Sequence, residues 1–253
     1  MRWWMLWCLS VSSVVAAPDL STVPADLALP KISPGEPAAG KRVKQVHPDW
    51  MQTEVYHLLY LPKDWQPGKR YPVIVEYAGN GPYQNQFGDI STGHPEGSKM
   101  GYGITGGRGF IWVCIPYLNT DGTRNVTQWW GDKPKNDPQP TLAYCKKVVP
   151  WICRQYGGDP GRVVLCGFSR GAIACNYLGL HDDEIAKLWR AFIPYSHYDG
   201  VRRWGYPGSD KASAKKRLQR LGMRPQFICH LSLIHISEPT RPLYISYAVF
   251  CLK

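Results

Sequence analysis

The sequence has no C-x-x-C pair, and no apolar run after residue 17 long enough to cross a membrane. The first absence argues against a thiolate zinc site, and the second against a membrane span in the mature chain. Acidic residues are also scarce, 19 Asp and Glu against 30 Lys and Arg, for a formal charge of +11. Much of that excess is spread thinly. Its one cluster (Lys211, Lys215, Lys216, Arg217, Arg220, Arg224) falls on a predicted helix and reads as a solvated face, so no nucleic-acid partner is expected. There is no internal repeat.

Residues 1–17 have the form of a secretory signal: Arg2, an apolar stretch through Val15, then the small Ala16 and Ala17. The expected location is therefore secreted or periplasmic, with no membrane attachment once the signal is cleaved. Residues 18–46, rich in Pro and Ala at the start, read as a linker.

The far end does not read as protein. Residues 231–241 (L-S-L-I-H-I-S-E-P-T-R) are the translation of a standard transposon-based sequencing adapter. Residues 245–253 (I-S-Y-A-V-F-C-L-K) are that of the flow-cell end running into adenines, and Pro242, Leu243 and Tyr244 fill the gap. Residues 231–253 are therefore set aside as a translated sequencing adapter. With that segment and Arg2 excluded the formal charge falls to +9. What remains, residues 47–230, is long enough for one packed domain. It holds Cys114, Cys145, Cys153, Cys166, Cys175 and Cys229. Export would permit disulfides, though Cys114, Cys166 and Cys229 sit in apolar runs where a thiol behaves as a small hydrophobe.

Apolar runs at 53–61, 71–77, 110–116, 162–166, 192–195 and 225–230 predict strands, the 110–116 run without alternation, as burial on both faces would give. Helical spacing appears over 141–156, with Pro150 expected to kink or restart that helix, and over 172–178, 182–191 and 211–221. Glycine-dense residues 88–107 read as a surface excursion. Strands alternating with helices predict an α/β fold, a mostly parallel central sheet with helices on both faces.

The sharpest signal is Gly167-Phe168-Ser169-Arg170-Gly171, set between the strand run Val163-Val164-Leu165-Cys166 and a helix of small and apolar residues. The bare G-x-S-x-G pattern is common. Its placement between strand and helix is what a nucleophile elbow requires. A side chain at either glycine would clash in so tight a turn, and the turn lifts the Ser169 hydroxyl to a helix N-terminus, where negative charge is favoured. The competing reading is a glycine-rich turn in which Ser169 merely caps the helix.

The elbow, the Tyr156-Gly157-Gly158-Asp159-Pro160 turn and the earlier Leu61-Pro62-Lys63 and Tyr71-Pro72-Val73-Ile74-Val75 runs together resemble the α/β-hydrolases. The likeness is greatest to secreted esterases of the polyhydroxybutyrate-depolymerase, feruloyl-esterase and dienelactone-hydrolase kind. It implies that Ser169 is the nucleophile, that the Arg170 backbone N–H is one oxyanion donor, and that Gly79, Asn80 or Gly81 gives the second. Tyr77-Ala78-Gly79 stands where the family has His-Gly. The resemblance also implies an acid and then a histidine after the strand at 225, where the adapter has replaced the protein. The domain is thus expected to be incomplete at its C-terminus and the chain inactive as it stands. Among the residues present, Asp199 is the candidate acid and His230 the candidate base, and His197 stands beside Asp199 in a segment that also reads as a plain turn.

The candidate substrate contacts are His197 and, on a polar loop, Trp129 and Trp130, which are able to stack on a sugar or aryl ring. The reading is a secreted serine hydrolase acting on a small-molecule or polymer ester, with no cofactor and no metal. The alternative is a non-catalytic secreted carbohydrate-binding protein on the same fold, using Trp129, Trp130 and Tyr198.

Overall fold

The computed structural model describes residues 27–84, 90–128, 131 and 135–229. In chain order the strands are β1 (Arg42–Gln45), β2 (His57–Tyr60), β3 (Tyr71–Tyr77), β4 (Tyr83–Gln84), β5 (Ile90–Ser91), β6 (Ile111–Ile115), β7 (Tyr117–Leu118), β8 (Asn125–Val126), β9 (Gly158–Phe168) and β10 (Ala191–Tyr195). The helices are α1 (Met100–Thr105), α2 (Gln139–Tyr156), α3 (Arg170–Tyr177), α4 (Asp183–Ala186) and α5 (Lys211–Gln219).

Six strands form the central sheet in the order β1-β2-β6-β3-β9-β10. The pairs β6–β3, β3–β9 and β9–β10 are parallel, while β1–β2 and β2–β6 are antiparallel. The expected α/β architecture is what the chain adopts. β3 and β6 are buried on both faces, which is why their sequences show no polar alternation. Val73, Val75, Tyr77, Val113, Ile115 and Leu165 face a large core closed by α2, α3 and α4. Ile74, Trp112, Cys114 and Cys166 face a smaller one closed by Tyr102 of α1. Cys114, Cys145, Cys153, Cys166 and Cys175 are buried free thiols and act as core side chains.

Several expectations need correction. The linker assigned to residues 18–46 ends earlier, because Arg42–Gln45 is the sheet's edge strand β1. Only Val43 there is apolar. The strand is held instead by the Arg42 guanidinium, which lies 4.8 Å from the centre of the Trp112 ring and donates to the Pro95 and Ser98 carbonyls. Pro150 neither ends nor restarts α2, which runs on because Cys145, Val148, Val149, Ile152 and Cys153 bury one continuous stripe.

The Asp159-Pro160-Gly161 turn lies inside β9. Its register on β3 jumps from Tyr71↔Gly158 to Val73↔Val163, so residues 159–162 bulge outward. The span 88–107 is not a free excursion, since it contains α1, whose Gly101 and Tyr102 are buried. The strand expected at 225–230 appears as a parallel segment beside β10, with bridges Phe192↔Gln226 and Tyr195↔Cys229.

Candidate active site

Ser169 stands at the end of β9, immediately before α3, at the C-terminal edge of the parallel strands. Its backbone has φ 55° and ψ −119°, a conformation that L-residues with a side chain rarely adopt and that strand-to-helix nucleophile turns store as strain. The surroundings enforce it. A Cβ on Gly167 would overlap the Gly171 carbonyl, and one on Gly171 would overlap that of Tyr77. Chain, strand and helix therefore approach each other only because both positions are glycine. The Ser169 N–H donates to the Tyr195 carbonyl at 3.0 Å, and its own carbonyl accepts from Ala172 at 3.0 Å. The hydroxyl makes no capping bond to α3, which removes the simple N-cap reading. The residue is half-buried, so the hydroxyl is not sealed inside. Arg170 opens α3, and its backbone N–H lies at the N-terminal end of that helix. The Arg170 side chain stacks on Trp204, 3.9 Å from the ring centre, with Arg202 on the same ring at 4.5 Å.

The loop after β3 meets the elbow. A Cβ on Gly79 would come within 3.1 Å of both Ser169 Cβ and the Phe168 carbonyl. Gly79 is thus the surface against which Ser169 packs. Asn80 follows with its side-chain Oδ1 enclosed and unbonded. Next to this contact lies a cavity of about 150 Å³ lined by Gly79, Ser91, Ser98, Met100, Phe168 and Tyr195, with Glu76 and Ala78 below.

Glu76 was not singled out in the sequence, although a carboxylate in the otherwise apolar run Val-Ile-Val-Glu-Tyr is a readable anomaly. Its Oε1 accepts from the Lys99 and Met100 N–H groups (3.0 and 3.1 Å). Its Oε2 accepts from Gly101 N–H (2.9 Å) and Trp112 Nε1 (2.8 Å). Burial pushes its pKa up while those four donors pull it down. A larger groove of about 660 Å³, around Trp65, Arg70 and Tyr156, lies where β3 and β9 begin, at the other end of these strands from Ser169.

The remaining candidates separate. Asp199 is a correction: both of its carboxylate oxygens are held by Arg217, Nε to Oδ2 at 2.9 Å and Nη2 to Oδ1 at 3.1 Å. Arg217 also donates to the Gly208 carbonyl and lies over the Tyr177 ring. An acid fully engaged by a buried guanidinium is a structural clamp on the turn after β10 and does not orient a histidine. His197 Nδ1 is 2.9 Å from Ser196 Oγ. The Tyr198 hydroxyl donates to Gln226 at 2.5 Å, so it ties the 225–229 segment to the turn after β10. Trp129, Trp130 and His230 lie outside the described residues.

No protein-family model matches the sequence, and no curated protein matches it. Solved structures do resemble it at low identity. A feruloyl esterase module from Clostridium thermocellum is 17% identical over 82% of this chain and 74% of its own, with a TM-score of 0.47. Thermogutta terrifontis esterase 2 is 19% identical over 68% of this chain and 64% of its own, at 0.44. A dipeptidyl aminopeptidase IV-type protein of Bacteroides ovatus is 17% identical over 84% of this chain and 31% of its own, at 0.48. The chain thus spans about three quarters of the first and less than two thirds of the other two. These are similarities of chain course. The chain's own geometry, a mostly parallel sheet flanked by helices with a strained serine between β9 and α3, is that of an α/β-hydrolase fold.

Proposed function

We propose that this domain is a serine hydrolase cleaving carboxylic esters through an acyl-enzyme. The observation that carries the reading is the Ser169 backbone at φ 55° and ψ −119° with a hydroxyl that caps nothing. In the proposed reaction Ser169 Oγ attacks the ester carbonyl carbon and loses its proton to a base. The tetrahedral oxyanion forms between the Arg170 N–H and the N–H groups of the Gly79–Asn80 loop. Its collapse expels the alcohol, and water then releases the acid. The substrate is a small-molecule or polymer ester met outside the cytoplasm, in keeping with the signal-like residues 1–17.

A serine hydroxyl is a weak nucleophile without an adjacent base. Asp199 is committed to Arg217, and residues 231–253 read as foreign. No acid–histidine pair is therefore assigned to Ser169 among the described residues, and slow turnover is expected from the 253-residue chain. The test is prolonged incubation with a fluorophosphonate probe, read by intact mass, because a serine without its base labels slowly. Ser169 Oγ displaces fluoride and becomes a phosphonyl ester. A single adduct that disappears in Ser169→Ala supports the proposal; an adduct that persists in that variant overturns it.

A further inference from the structure

Within the small cavity beside the elbow, two enclosed hydroxyls, Ser91 Oγ and Ser98 Oγ, have no hydrogen-bond partner among the described residues, and Ser91 is the one that lies against Gly79. Ser91 Oγ is enclosed, its residue 3% exposed, and it makes no hydrogen bond. An unpaired buried hydroxyl is destabilising, so one in a cavity wall points to a partner that comes and goes. The lining also includes Ser98 and Lys99 beside the apolar Met100, Phe168 and Tyr195, the last two rings 5.4 Å apart. Glu76 lies below, its oxygens already filled by four N–H donors. Gly79 joins cavity and nucleophile: a Cβ there would overlap Ser91 Oγ on one side and come within 3.1 Å of Ser169 Cβ on the other.

We propose that this cavity is the acyl pocket, taking a short, uncharged acyl group with a hydrogen-bonding oxygen two atoms from the carbonyl carbon, bound by Ser91 Oγ. This rests on Ser169 as the nucleophile. A volume of about 150 Å³ suits a group no larger than benzene. A butyryl-sized chain fits; an octanoyl chain does not. Glu76 lines the same cavity with both oxygens accepting N–H groups, so it offers an acidic acyl group no donor.

Binding is read without turnover, in the Ser169→Ala chain, by saturation-transfer NMR. The probes are methyl methoxyacetate, methyl butyrate, methyl octanoate and monomethyl succinate. Methoxyacetate is expected to bind about five-fold more tightly than the isosteric butyrate, the difference one hydrogen bond gives. Adding Ser91→Ala should abolish that preference, and octanoate and succinate should not bind. The same order in chains with and without Ser91→Ala, or octanoate binding as well as butyrate, overturns the proposal. Ser91→Ala removes an unbonded hydroxyl, so its melting temperature should hold or rise. A clear fall would mean that the hydroxyl has a structural partner, which also overturns it. Fluorophosphonate labelling reports on Ser169 alone, so failure of the pocket and failure of the nucleophile are separately visible.

Discussion

Ser169 is held where a residue with a side chain pays roughly 1–3 kcal/mol of backbone strain. Glycine adopts that conformation freely. Ser169→Gly is therefore expected to be more stable than Ser169→Ala by about 1 kcal/mol in urea denaturation, with neither variant taking up a fluorophosphonate. Equal stabilities would mean that the strain is absent. At this scale the sequence was readable where chemistry is local. The two elbow glycines are required by carbonyls that an added Cβ would strike, and the pentapeptide announces them. Asp199 was not readable, because the guanidinium that binds it lies 18 positions away on α5. Nor was Ser91, whose isolation comes from packing and leaves no pattern in its neighbours.

At the scale of elements, β2 and α2 share a buried contact with a pH consequence. His57 on β2 is fully enclosed, its Nδ1 2.8 Å from the Tyr144 hydroxyl of α2, its Nε2 unbonded and its ring near Trp151. Burial, with His47 adding to it, pushes its pKa down to about 3. The unfolded chain takes up this proton near pH 6.5 and the folded chain does not. The stability this contributes is therefore complete above about 6.5 and lost as pH falls, by about 1.4 kcal/mol per unit. Denaturation between pH 7 and 5 should show that slope, and His57→Leu should flatten it by about one proton's worth even though its baseline is lower. An unchanged slope would assign the effect to other groups.

Elements were legible where apolar spacing is strong: β3, β6, β10 and α2 lie close to their expected positions. They were not legible where a strand borrows its stability. β1 contributes one apolar residue and a guanidinium stacked on a tryptophan from another strand.

Across the whole molecule, the mostly parallel sheet with helices on both faces followed from the alternation of runs. The position of α1 did not, because its anchor is a carboxylate reaching it from the central strand. The basic balance of the chain is carried mainly by exposed side chains. Some are paired, as Arg220 is with Asp183 and Lys146 with Asp182 and Glu184. Reading residues 231–253 as foreign makes a whole-chain prediction: removing them should leave the melting temperature within about a degree and Ser169 labelling unchanged. A drop of several degrees, the size that about 1 kcal/mol gives, would show that they belong to the fold.

The carboxylate at position 76 has one more consequence. It sits on β3, three residues before Gly79 in the loop that follows, and it holds the start of α1, whose Met100 lines the cavity. The floor of the pocket and the loop facing the serine thus share a single rivet. A shift of that helix is expected to be felt at the loop facing Ser169. On the proposed function, substrate fit and the placing of the loop facing Ser169 are thus linked through Glu76, and a bulky acyl group is expected to be penalised twice, once for its size and again for the misalignment it forces.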